Sequence, residues 1–73
     1  MFTAKNPRTQ DVYRFRTLDA LARRLGGDDF HVCHSEEFAP VELMIEVLRT
    51  TRYGTSIVTT LLVPPDALPR EEL

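Results

Sequence analysis

The stretch Glu36-Glu37-Phe38-Ala39-Pro40-Val41-Glu42-Leu43-Met44-Ile45-Glu46-Val47-Leu48-Arg49-Thr50 decides the architecture, because it carries two periodicities at once. Wound as a helix, it gathers Glu42, Glu46, Arg49 and Thr50 within an arc of about 100° and turns Phe38, Val41, Met44, Ile45 and Leu48 inward, with Pro40 tolerated only near the start. Drawn out as a strand, it alternates Val41, Leu43, Ile45 and Val47 with Glu42, Met44, Glu46 and Leu48. The helical reading gives β-α-β-α-β and the extended one a hairpin.

The residues C-terminal to this stretch favour the hairpin. Residues 55–63 are rich in Thr, Ile and Val and end at Pro64, which lacks the amide hydrogen a strand ladder needs. Arg52-Tyr53-Gly54 then forms a three-residue loop with glycine at the left-handed position. The resulting register sets Leu43 against Val63, Ile45 against Leu61 and Leu48 against Val58, while Glu46 meets Thr60 and Thr50 meets Ser56. The three apolar pairs match apolar with apolar and the other two match polar with polar, which is how sheet pairs gain stability.

The residues N-terminal to it supply further elements. Phe30-His31-Val32-Cys33-His34 has the aromatic and β-branched content of a short strand, with Phe30, Val32 and His34 on one face and His31 and Cys33 on the other. Leu18, Leu21, Ala22 and Leu25 recur at helical spacing behind Thr17, a natural N-cap; Asp19 can pair with Arg23 on the wet side, and Gly26-Gly27 supplies the stop. Between residues 11 and 16, Tyr13 and Phe15 alternate with Val12, Arg14 and Arg16, the pattern of a strand with a basic outer face. The expected fold is α+β, a small three- or four-stranded, mainly antiparallel sheet covered by one or two helices, with one helix on four strands as the first picture. Residues 11–63 form the single domain, residues 1–10 an N-terminal tail, and residues 64–73 a Pro-rich acidic C-terminal tail.

Size sets the limits on function. A chain of 73 residues and 8.4 kDa has room for one core, so separate cofactor and substrate domains are excluded. With 42% apolar and 27% charged residues it has the composition of a globular domain rather than a disordered one. Cys33 is the only cysteine, so no intramolecular disulfide reinforces that core. A lone thiol suits a reducing compartment, and the opening residues show no charged-then-apolar leader, so a cytoplasmic location is expected. The longest apolar run, Leu61-Leu62-Val63, is far short of the roughly 20 residues a bilayer helix requires, so no membrane partner is expected.

Charge divides the chain. Residues 1–24 carry six basic side chains against two carboxylates, whereas residues 25–73 carry three against nine. The basic part could meet phosphate or an acidic partner, but the acidic remainder would repel a nucleic-acid backbone unless it pointed away. Self-association through the complementary halves is an equally economical use of the same charges.

Each candidate chemistry competes with a simpler role. His31, Cys33 and His34 are metal-ligand types, but on a strand His34 points away from the other two, leaving two close ligands where structural zinc takes four; neither metal nor cofactor is expected. A Cys33–His31 nucleophile pair leaves no space for a substrate between neighbours on one strand face, so a structural thiol is preferred. Asp28-Asp29, Glu36-Glu37 and Glu71-Glu72 read as turn, cap and tail chemistry. Gly26-Gly27 follows a helix rather than opening one, so it is not a phosphate loop. Ala22, Gly26 and Val32 have the spacing of a helix-turn-helix, yet the would-be recognition helix over residues 28–37 carries four carboxylates, which a phosphate-lined groove would repel.

Two surfaces remain. Arg49, Arg52 and Tyr53 place an aromatic between guanidinium groups on a turn, the residue types that dominate protein interfaces. Arg14, Arg16, Arg23 and Arg24 could form a basic face for nucleic acid, giving a transcriptional regulator as the alternative. The reading preferred is a non-catalytic module that binds a protein partner, as an inhibitor, adaptor or regulatory subunit, with a homodimer among the arrangements it allows. A core this small encloses no deep pocket, but a sheet edge can add to another surface.

Overall fold

A computed structural model of the chain describes residues 1–33 and 42–68. Five strands and one helix run in the order β1 (Phe2–Lys5), β2 (Val12–Phe15), α1 (Leu18–Arg24), β3 (Asp29–Cys33), β4 (Leu43–Thr51) and β5 (Gly54–Val63), with a short 3₁₀ turn over Pro65–Ala67. The strands form one sheet in the order β2-β1-β5-β4-β3, and every neighbouring pair is antiparallel. The α+β class expected from the sequence is therefore correct, with one strand more than the three or four anticipated.

The extended reading of the deciding stretch holds from Leu43 onward. Ile45 and Val47 are both about 1% exposed, and Glu46 lies between them on the opposite face. Residues two apart can share a buried face only at a period of two; on a helix they would stand about 200° apart. Residues 34–41, where Phe38, Val41 and the paired Glu36 and Glu37 fall, lie outside the described residues, as do residues 69–73.

The hairpin register corrects the expected one in its outer half. From Leu43↔Val63 to Val47↔Thr59 the pairing is as read from the sequence, but Leu48 then faces Ile57, not Val58. Val58 is an extra residue on β5, a β-bulge, and every pair beyond it shifts by one: Arg49 meets Ser56, Thr50 meets Thr55 and Thr51 meets Gly54. The loop is consequently the two residues Arg52 and Tyr53, one shorter than the three-residue loop expected.

The fifth strand comes from the segment read as an N-terminal tail. Phe2 and Ala4 alternate with Thr3 and Lys5, and β1 takes an interior place between β2 and β5. Ala4 is fully buried, and the Phe2 ring stacks obliquely on Phe15 at 5.7 Å between centroids. At the other end of the described chain, Pro65–Ala67 turns back onto the sheet, burying Ala67 with Leu68 packed beside it.

Helix α1 leaves edge strand β2 and returns the chain to the opposite edge at β3, so it lies across one face of the sheet. Thr17 caps it, its Oγ1 accepting from Ala20 N at 3.2 Å. At the far end Gly27 N donates to Ala22 O at 2.8 Å and Gly26 N to Arg23 O at 3.1 Å, the paired bonds of a Schellman motif with Gly26 left-handed at φ 96°. Leu18, Leu21 and Ala22 pack on Ala4, Phe15, Ile45, Val47, Leu61 and Val63, forming the core. Each large side chain buried there contributes on the order of 1.5–3 kcal/mol. Asp19 and Arg23 form no ion pair; the salt bridge among the described residues is elsewhere, between His31 and Glu46.

Candidate functional site

The strand register places three reactive side chains together on the sheet face opposite α1. His31 lies directly across from Glu46, and Cys33 stands two residues along β3 on the same face. His31 Nε2 and Glu46 Oε1 are 2.7 Å apart, and the ligand atoms of His31, Cys33 and Glu46 all lie within 4.8 Å of one another. Strand alternation in the sequence sets His31 and Cys33 on one face but does not point to Glu46. Its place comes from the β3–β4 ladder, whose register no local pattern fixes. His34 lies outside the described residues.

Burial raises the Cys33 thiol to about 11, helped by its hydrogen bond to Glu46 and by the charge of that carboxylate. The thiol is thus protonated at neutral pH, the reverse of the depressed values that activate cysteine nucleophiles.

Glu46 also borders a groove of about 650 Å³ lined by Asn6, Arg8 and Thr9 on one side and Ile57, Val58 and Thr60 on the other. The connection between β1 and β2 builds the first wall. Asn6, 8% exposed, accepts at Oδ1 from Arg8 N (2.9 Å) and Thr9 N (3.3 Å), and its Nδ2 donates to Thr59 Oγ1 at 2.9 Å. One buried amide therefore folds the turn and ties it to β5. Nothing in the local sequence relates Asn6 to Thr59, 53 residues away.

The second wall is an unpaired strand edge. Strand β1 meets β5 at Lys5↔Leu62, Asn6 holds Thr59 through its side chain, and then the chain turns away. Among the described residues no strand accompanies Gly54–Val58 on that side. Ile57 is 56% exposed and Val58 38%. On the other flank, Asp28 N donates to Leu48 O at 2.8 Å and Thr50 N donates to Asp28 Oδ2 at 3.0 Å, closing the ladder there.

Of the three residues read from the sequence as this turn, Arg52 and Tyr53 sit at the tip of the hairpin and Arg49 lies within β4. Arg52 and Tyr53 are the two loop residues, with the Arg52 guanidinium 5.3 Å from the centre of the Tyr53 ring and Tyr53 86% exposed. Arg49 is exposed on β4 opposite Ser56. The four N-terminal arginines do not gather on one surface. Arg14 alternates with the inward Tyr13 and Phe15 and so faces away from α1, whereas Arg23 and Arg24 belong to that helix and Arg16 lines a separate cleft with Asp19 and Asp66. Arg24 Nη2 donates to the Arg14 carbonyl at 3.0 Å, which ties helix to strand.

These features define a small α+β protein, with one helix across a five-stranded antiparallel sheet among the described residues. No helix among the described residues is long and apolar enough to cross a membrane. Compared with known protein families, curated proteins and solved structures, the chain matches none.

Proposed function

We propose that this chain is a non-catalytic protein-binding module that works by strand addition at the free edge of β5, and that the partner this edge fits is a second copy of the chain. The observation that carries the reading is the Gly54–Val58 edge, unpaired among the described residues, with Ile57 exposed upon it. An open edge offers a row of backbone donors and acceptors to any extended segment. Five residues of strand span about 17 Å at roughly 3.4 Å each, enough for several ladder bonds.

The choice of a second copy rests on charge and symmetry. From Tyr53 to Val63 the sequence contains no Lys, Arg, His, Asp or Glu, so the two β5 segments themselves bring no like charges together. Natural edges are normally guarded by charged side chains or proline. Here the Val58 bulge is the one guarding device on β5, and it lies at the inner end of the open segment. Antiparallel pairing of identical segments is two-fold symmetric and closes as a dimer. With Ser56 as the centre, Tyr53 of one copy falls opposite Thr59 of the other, beside the wall built on Asn6. The protonated Cys33 thiol agrees with a module that performs no nucleophilic chemistry.

Sedimentation equilibrium of the full chain over a hundredfold concentration range tests this reading. The wild type is expected to rise from the 8.4 kDa monomer toward twice that mass. Ile57→Lys, which brings two like charges close to the symmetry axis, is expected to remain monomeric with an unchanged circular-dichroism spectrum. Arg23→Glu, on the helix, should associate like the wild type. A wild type that stays monomeric at the highest concentration, or an Ile57→Lys variant that associates as tightly, overturns the proposal.

A further inference from the structure

We infer that His31, Cys33 and Glu46 form a binding site for a zinc-class divalent ion, with the imidazole Nε2, the sulfur and a carboxylate oxygen as its ligands. The inference does not depend on β5 pairing. It rests on convergence: three different donor types from two strands, with all ligand atoms within 4.8 Å of one another. A tetrahedral ion with bonds of about 2.0–2.3 Å sets its ligands on the order of 3.3–3.8 Å apart. His31 Nε2 and Glu46 Oε1, at 2.7 Å, have only to part slightly, and the sulfur has to approach by no more than about 1 Å. The side-chain rotations of an exposed His31 and a half-buried Glu46 supply movements of that size.

Donor chemistry selects the ion. A thiolate with an imidazole suits zinc and its borderline neighbours, whereas magnesium and calcium take oxygen ligands. Three protein ligands leave the fourth position of a tetrahedron for water, as in zinc sites that stay open to a further ligand. Binding replaces the Cys33 S–H bond with a sulfur–metal bond, and the displaced proton passes to solvent, so uptake weakens as pH falls. The ion pair of His31 with Glu46, and the place of Cys33 beside them on the same sheet face, bring the three groups into reach before any ion arrives.

The test is a titration of the reduced, metal-stripped full chain with cobalt(II), a coloured probe for zinc sites. Expected are a thiolate-to-cobalt charge-transfer band and tetrahedral d–d absorption that saturate at an equimolar ratio and are bleached by zinc. Cys33→Ser should lose the charge-transfer band, and Glu46→Gln and His31→Ala should each weaken binding at least about tenfold, as loss of a ligand requires. All three positions lie on the sheet face away from the core, and circular dichroism verifies that each variant is folded. Absence of the band, or the same cobalt affinity in Cys33→Ser, contradicts the site. Unchanged affinity in both Glu46→Gln and His31→Ala would also overturn it, by reducing it to metal capture on a lone thiol.

Discussion

Gly27 lies against Val47 so closely that a Cβ built upon it would stand 2.5 Å from Val47 Cγ1. It would also stand 2.7 Å from the Leu48 carbonyl oxygen, which Asp28 N already holds at 2.8 Å. The helix end thus docks on β4 through a position with no space for a side chain, and the backbone behind it cannot retreat without breaking a ladder bond. Gly27→Ala is expected to destabilise the fold by about 1–3 kcal/mol through overpacking. For a domain of this size each kilocalorie lowers the unfolding midpoint by about 4–8 °C. Thermal unfolding followed by circular dichroism reads the shift, and a midpoint equal to that of the wild type would contradict the close docking of α1 on β4.

The bulge makes a separate prediction. Because Val58 is the extra residue between Thr59, paired with Val47, and Ile57, paired with Leu48, its deletion leaves every cross-strand pair in place. Deleting Thr60 instead slips the register and exchanges the faces of its neighbours, moving buried Leu61 out of the core or the hairpin out of alignment. The Val58 deletion should therefore unfold cooperatively near the wild-type midpoint, whereas the Thr60 deletion should lose its cooperative transition. Equal damage from both would mean that the register runs unbroken to the tip.

Cys33 gives the metal-free protein a pH dependence. Its thiol, ordinarily near 9.0, is raised to about 11 in the folded chain, first by burial and then by the hydrogen bond and charge of Glu46. The folded state therefore holds a proton between these values that the unfolded state has released. This contribution to stability is complete below pH 9 and is lost as pH rises toward 11. Denaturant unfolding in the presence of a chelator should show stability falling across that window, and Cys33→Ser should flatten the slope. Glu46→Gln should move the thiol part of the way back, because burial, the largest cause, remains. A wild-type slope matching that of Cys33→Ser would show that the thiol titrates alike folded and unfolded.

Local pattern carried most of the fold. The helix with its Thr17 cap and glycine stop, and the inner half of the hairpin from Leu43↔Val63 to Val47↔Thr59, are legible from spacing alone because one face of each is buried. What escaped was non-local. Phe2–Lys5 alternates correctly, but a run of four residues, half of them Ala and Lys, with Pro7 close behind, is too short to mark a strand by itself, and its pairing with β2 and β5 makes the strand. The bulge escaped because Leu48 against Val58 and Leu48 against Ile57 are equally apolar pairs. For the candidate sites, Arg52 and Tyr53 were legible as a turn, whereas Arg49, read with them, belongs to β4. Glu46 beside His31 and Asn6 beside Thr59 were not, since each depends on which strands become neighbours.

Hydrogen exchange at the β5 edge tests the strand-addition account most directly. With the full chain held first at a concentration where it is monomeric and then at a hundredfold higher one, the backbone amides of residues 54–58 should gain protection, while those of β3, beyond β4 on the other side of β5, should exchange alike at both. Amides at residues 54–58 that exchange as fast in the concentrated sample as in the dilute one would contradict pairing of that edge.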